Sequence, residues 1–298
     1  MRDFSTDHRW LSINTATVRQ QRGQDWPLLD ILDACGQRGI RAVSPWRDQV
    51  AAAGLQATAN KLQEHGIELS GYCRGGMFTY TDAASRQASR DDNRRALDEA
   101  CTLHAPCLVL VVGGLPGALA GHAAHRDIAG AREQVNEGIA ALLDDARERQ
   151  MPLAIEPLHP MYAADRACIN TLAQALDVCD ALDPGRTGAL GLAVDLYHVW
   201  WDPTLAVQIQ RAGPDANGDG SRLLAFHVCD WLTPTTHLLE DRGMMGDGVI
   251  DIPHIRALVE AQGFAGYSEV EIFSRGNWWR QDGGQVLDTC IERHRRCV

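Results

Sequence analysis

The feature that most constrains this chain is a repeat of pattern rather than of sequence. A short apolar run, often bounded by glycine, is followed by a stretch with apolar residues at helical spacing, and the pair recurs along the chain. Uninterrupted apolar runs suit strands covered on both faces, whereas apolar residues spaced by three and four suit helices with one buried face. Strands are predicted over 11–15, 39–44, 67–72, 108–112, 153–155, 189–194, 223–228 and 266–272. Helices are predicted over 27–35, 50–65, 81–104, 127–149, 171–182, 204–212, 252–262 and 284–294, with Gly36 and Gly66 placed to stop the first two. Strand–helix units spaced by ~30 to 40 residues imply a parallel sheet, which leaves a closed (β/α)8 barrel or a doubly wound open sheet. No composition break marks a linker, and 298 residues, 45% of them hydrophobic, suffice for one large core. The expectation is an α/β fold, a single (β/α)8 TIM barrel over residues 1–298.

Four of these strands end in metal-ligand chemistry, which also favours the barrel, because such barrels build their sites at strand C-termini. Residues 152–160 read P-L-A-I-E-P-L-H-P and put Glu156 at the mouth of strand five. V-D-L-Y-H places Asp195 at the end of strand six, A-F-H-V-C-D places His227 near the end of strand seven, and S-E-V-E-I-F puts Glu269 and Glu271 on strand eight. In a closed barrel these strands are neighbours converging on one mouth. Three carboxylates gathered there would repel one another, a cost that a divalent cation removes. Oxygen ligands with one imidazole suit Mn²⁺ first, then Mg²⁺ or Co²⁺, better than a thiolate-seeking zinc site, although Zn²⁺ stays within the donor set. Singly, each residue has an ordinary alternative as a salt-bridge partner, a helix cap or a hydrogen-bonded core histidine. Glu269 and Glu271 share parity, so spacing alone does not choose between them; Glu271 lies nearer the mouth.

Several further residues carry two readings each. His198, three after Asp195, either reaches a substrate or a second metal, or orients Asp195. His159 follows Glu156 at the same interval and either lines the pocket or caps the loop before Pro160. Arg242, in D-R-G-M-M-G-D-G after strand seven, either binds a substrate oxygen or pairs at the surface with Glu240 or Asp241. Trp200, Trp201, Trp278 and Trp279 either wall a sugar-sized pocket or cover the barrel end. The segment D-A-N-G-D-G at 215–220 resembles the start of an EF-hand loop, but its twelfth position is Phe226 rather than Glu, so it reads as a turn entering strand seven.

Composition narrows the setting. A formal net charge of -11 disfavours tight binding to duplex nucleic acid. Nine cysteines form no C-x-x-C pair and fall mostly in apolar runs, so they read as reduced core residues of a cytoplasmic protein. The N-terminus has no apolar signal core, and no window approaches the ~18 apolar residues of a spanning helix, so neither export nor a membrane is expected.

The order I-E-P-L-H-P, V-D-L-Y-H, F-H-V-C-D and E-V-E-I-F, with D-R-G-M-M-G-D-G-V-I-D between the last two, resembles the xylose isomerase-like barrel superfamily. That superfamily holds sugar and sugar-phosphate isomerases and epimerases, inosose dehydratases and the endonuclease IV type of DNA repair enzyme. The resemblance runs from Ile13 to Phe273 and is most specific in the C-terminal half. It implies that Glu156, Asp195, His227 and Glu271 ligate the metal, that Glu156 and Glu271 form a proton-transfer pair, and that His198 and Arg242 touch substrate. It also selects Glu271 over Glu269, through the family's E-x-F strand end. The additional histidines of the repair enzymes have no match in the N-terminal half, where His65 precedes a helix-ending glycine and His104 ends a helix.

The function expected is therefore a divalent-metal-dependent isomerase or epimerase of a sugar or keto-sugar, working through a metal-stabilised ene-diolate. Glu156 and Glu271 serve as base and acid, and His159, His198 and Arg242 bind substrate. The alternative is a lyase or dehydratase of a keto-sugar, keto-glycoside or inosose, which shares that intermediate and then expels a leaving group. A non-enzymatic sugar-binding barrel gives no reason for so many carboxylates. The expected partner is a small-molecule carbohydrate, with no nucleic acid and no membrane, and assembly into a homo-oligomer is compatible with the sequence.

Overall fold

The computed structural model describes residues 2–215, 218 and 220–298, and much of the turn expected at 215–220 lies outside the described residues. The strands are β1 (Leu11–Asn14), β2 (Ala42–Ser44), β3 in two segments (Glu68–Leu69 and Tyr72–Gly76), β4 (Leu108–Val111), β5 (Leu153–Ile155), β6 (Leu190–Asp195), β7 (Leu223–Val228) and β8 (Ser268–Val270). Their order is the first segment of β3, then β2, β1, β8, β7, β6, β5, β4 and the second segment of β3. All neighbours in this row are parallel. Because the two ends of the row are halves of one strand, the sheet closes on itself.

The seam of this closure is at Ser70 and Gly71. Before it, Glu68 and Leu69 pair with Ala42 and Val43; after it, Tyr72 and Cys73 pair with Leu108 and Val109. Hydrogen bonds from the Ser70 N–H to the Val43 carbonyl (3.0 Å) and from the Tyr72 N–H to the Cys107 carbonyl (3.1 Å) carry the pairing across the change of partner. A further bridge joins Trp46 to Cys73. The fold is thus the expected TIM barrel.

Strands buried on both faces explain the uninterrupted apolar runs: every residue of β4 and β5 is buried. Cys73, Cys107, Val109, Ala154, Ala193 and Ala225 form one compact cluster of mostly small side chains. Outside the sheet, the helices bury their apolar stripes. The helix Ile128–Glu148, capped by Asp127 accepting the Gly130 N–H, turns Ala131, Val135, Ile139, Leu142, Leu143 and Ala146 inward at spacings of three and four. Each of the larger of these contributes roughly 1.5–3 kcal/mol of burial, so Ile139→Asp would undo this face. The helix expected over 50–65 is two, Arg47–Ala53 and Leu55–His65, because Gly54 adopts φ 91° and ends the first. All nine cysteines are free, and among the described residues no helix is long and apolar enough to cross a membrane.

At the N-terminal end of the barrel, Arg222 is buried just before β7. Its guanidinium donates to the carbonyls of Leu190 (3.2 Å) and Asp183 (2.8 Å) and to Asp180 Oδ1 (3.1 Å), and lies 3.6 Å from Asp183 Oδ2.

Candidate metal centre

At the opposite end, the strand termini deliver the four residues expected as ligands. The Glu156 N–H donates to the Leu110 carbonyl (3.1 Å) as the last rung of β5, and the Glu271 N–H donates to the Val228 carbonyl (3.1 Å) just beyond β8. Asp195 closes β6 and stands in register with His227 of β7. All four side chains are buried, and one donor atom from each lies within 4.8 Å of the others. His227 Nδ1 is 2.9 Å from Glu156 Oε1. Donors bound at about 2.1 Å to an octahedral ion stand ~3 Å apart when adjacent and ~4.2 Å when opposite, so this spacing suits one small divalent cation.

Arg242 reaches the same cluster from the loop after β7. The loop folds back as a two-residue ribbon, Asp230 pairing with Gly243 and Trp231 with Arg242. Its guanidinium lies between the rings of Tyr197 (4.5 Å) and Phe273 (5.1 Å). Nη1 donates to Asp195 Oδ2 (3.0 Å) and Glu271 Oε2 (2.9 Å). The surface pair with Glu240 or Asp241 is therefore not formed: Arg242 is buried, and Glu240 pairs with Arg275 instead.

Burial and neighbouring charge set the proton affinities. Burial drives the Glu271 carboxyl up to about 8, with Arg242 only partly opposing it. Glu156 is also raised by burial, against its hydrogen bond from His227. For Asp195 burial pulls upward too, but Arg242, followed by His198 and His227, brings it down to about 2. His227 is opposed by burial, yet Glu269 and Glu156 hold its imidazolium well above the ordinary range. Glu156, Asp195, Glu269 and Glu271 thus face one guanidinium and one imidazole, and His227 Nε2 is buried without a hydrogen-bond partner among the described residues. This surplus of carboxylate over positive charge fits a divalent cation.

The other expected residues ring this cluster. His198 is buried, and burial lowers its pKa to about 3, so it is neutral. The His159 N–H approaches its Nδ1 (3.2 Å) and Arg242 Nη2 its Nε2 (3.1 Å), with Nε2 3.6 Å from Asp195 Oδ2. His159 caps the turn Pro160–Tyr162, its Nδ1 accepting the Met161 N–H (3.3 Å), and stacks on Trp231 at 5.0 Å with Trp201 at its edge. Trp200 packs beside Trp231, whereas Trp279 is buried and donates to the Ala16 carbonyl (2.9 Å), covering the barrel end.

Sequence reasoning missed Asn14, Trp46 and Ser70. Asn14 Nδ2 donates to Glu269 Oε1 (2.8 Å) and Glu271 Oε1 (3.0 Å), while its Oδ1 accepts from Trp46 Nε1 (2.7 Å). Ser70 Oγ donates to Glu269 Oε2 (2.7 Å) and lies 2.6 Å from Ser12 Oγ. A signal existed: Ser12 and Asn14 share one face of β1, polar where the neighbouring positions are apolar.

Over residues 29–290 the chain matches the family described as xylose isomerase-like TIM barrel, and it belongs to that family. No curated protein matches it in sequence. Among solved structures, it is similar to protein SMc04130 from Sinorhizobium meliloti 1021, with 54% identity over 97% of this chain and 98% of that one and a TM-score of 0.89. It is also similar to the IolI protein with a bound zinc atom (18% identity, 94% of each chain, TM-score 0.76). D-psicose 3-epimerase in the presence of D-fructose gives 17% identity over 96% of each chain and a TM-score of 0.70. At such identities the last two likenesses speak for the fold.

Proposed function

We propose that this chain is a divalent-metal-dependent isomerase or epimerase of a sugar or keto-sugar. The observation that carries the reading is the convergence of Glu156, Asp195, His227 and Glu271 within 4.8 Å, buried and short of positive charge. Family membership supports it, as do similar structures named for a bound zinc atom and for a sugar epimerase. When bound, such an ion supplies Lewis acidity that eases loss of a proton from a carbon beside a carbonyl.

The chain's own groups account for the rest. Glu156 and Glu271 come from β5 and β8, the two ends of a four-strand arc, and so flank a substrate lying across the mouth. One removes a proton from carbon and the other returns one, either to the opposite face of the same carbon or to its neighbour. His198, Arg242 and His159 stand on the β6–β7 side of the mouth, where they bind substrate oxygens and hold the reacting carbon in place. The partner is a small carbohydrate, and Mn²⁺ suits the donor set first, with Mg²⁺, Co²⁺ or Zn²⁺ as substitutes.

The test is turnover of a keto-sugar panel in D₂O before and after chelation. Activity lost to a chelator, restored by Mn²⁺ or Co²⁺ and accompanied by deuterium at the reacting carbon, is the expected result. Full activity after chelation, or product without deuterium, overturns the proposal; product lighter by water or an aglycone assigns the chain to the lyases instead.

A further inference from the structure

We propose that Glu269 is a positioning residue for His227, its carboxylate accepting the Nε2 proton of the imidazole and thereby leaving the Nδ1 lone pair free to face the metal position. The inference rests on the reading of Glu156, Asp195, His227 and Glu271 as ligands of one ion.

The two ring nitrogens of His227 have different surroundings. Nδ1 faces the cluster, 2.9 Å from Glu156 Oε1. Nε2 is buried with no hydrogen-bond partner among the described residues, and Glu269 Oε1 stands 3.6 Å from it. A neutral imidazole carries one N–H and one lone pair. If Nδ1 ligates a cation, the proton sits on Nε2 and requires an acceptor, because a buried donor left unpaired is costly.

Glu269 is built to be that acceptor. His227 and Glu269 are register partners across β7 and β8, so the carboxylate is held beside the ring. Asn14 Nδ2 fixes one of its oxygens (2.8 Å) and Ser70 Oγ the other (2.7 Å). Tethered on both sides, Glu269 stays one step below the ligand atoms while Glu271 reaches them. A ring movement of about 0.7 Å brings the 3.6 Å separation to hydrogen-bond length. That movement becomes available once Nδ1 turns from Glu156 to an ion. Asn14 also donates to Glu271 Oε1 (3.0 Å), so one amide ties the positioning carboxylate to a ligand.

The experiment titrates Co²⁺ into metal-stripped wild type, Glu269→Gln and Ser70→Ala, reading Kd by calorimetry, the visible Co²⁺ spectrum, and melting of each metal-free protein. Glu269→Gln is expected to raise Kd by about 10- to 100-fold and change the spectrum, with metal-free melting near that of wild type. Ser70→Ala removes one donor to Glu269 and touches no ligand; its Kd is expected to rise by about 2- to 5-fold. Wild-type Kd and spectrum in Glu269→Gln overturn the proposal, as does a lowered melting temperature with unchanged Kd, which is what a purely structural role predicts. Should Glu269→Gln fail to fold, Ser70→Ala decides, an unchanged Kd overturning the proposal. If wild type binds no divalent ion at all, the ligand reading itself has failed, and this inference falls with it.

Discussion

Arg222, just before β7, and Arg242, beyond its end, are both buried guanidiniums, yet they keep different company. Arg222 spends its donors on two carbonyls and Asp180 and sits beside Asp183, a set that includes backbone and one half-exposed side chain. Arg242 bonds Asp195 and Glu271, with Glu156 and Glu269 close by and His227 as the other positively charged group beside them. The first arrangement ties down the start of two strands and leaves only Nε without a hydrogen-bond partner among the described residues. In the second, four carboxylates face two positively charged side chains. Burial of charge alone therefore does not single out a candidate site in this barrel; a surplus of one sign does.

The sharpest way to break this contrast is to change the surplus itself. Glu271→Gln should lower turnover of whichever keto-sugar the wild type converts by about 10²- to 10⁴-fold, with circular dichroism unchanged. A variant that keeps wild-type rates would make the mouth as structural as the Arg222 end. Next, Arg242→Met and Arg222→Met should each cost about 3–5 kcal/mol of stability in metal-free urea denaturation, since each strands buried carboxylate or carbonyl groups. Mn²⁺ should then stabilise Arg242→Met more than it stabilises wild type, and Arg222→Met no more than wild type. Equal responses would erase the distinction.

A buried group with no hydrogen-bond partner among the described residues extends the comparison. His294 stacks on Phe4 at 4.5 Å, and both of its nitrogens lack hydrogen bonds among the described residues. Burial pushes its pKa from 6.5 to about 3. The unfolded chain therefore takes up the proton first, so the stability present above pH 6.5 is lost as the pH falls toward the folded-state value. Between those limits the slope reaches about 1.4 kcal/mol per pH unit, and His294→Phe should flatten it in denaturation curves at pH 4 to 7. Smallest of all, Trp46→Phe removes the N–H that Asn14 Oδ1 accepts and should cost about 0.5–1.5 kcal/mol. A matching small rise in metal Kd would show that Asn14 relays to Glu271.

Much of the barrel was legible because each strand is a local apolar run and each helix a local period. Glu156, Asp195, His227 and Glu271 stood out for the same reason, as each interrupts or ends such a run. What stayed hidden depends on which strand lies beside which. Asn14 meets Glu269 and Glu271 only because closure puts β1 next to β8, across more than 250 residues of sequence. The burial of Arg242 likewise follows from a ribbon that folds its loop inward, a long-range event that glycines in the loop permit without announcing. The division of β3 at Ser70 and Gly71 has the same origin, for the change of partner is dictated by the circle and not by the segment.

The clasp of Arg242 between Tyr197 and Phe273 has one more consequence. A resident cation, held against two rings, already pairs with two of the acids at the mouth of the folded chain. On the metal-dependent reading proposed above, the chain can reach its final shape before an ion arrives, so that the supply of loose ions, rather than fresh synthesis, would set how much of it is at work.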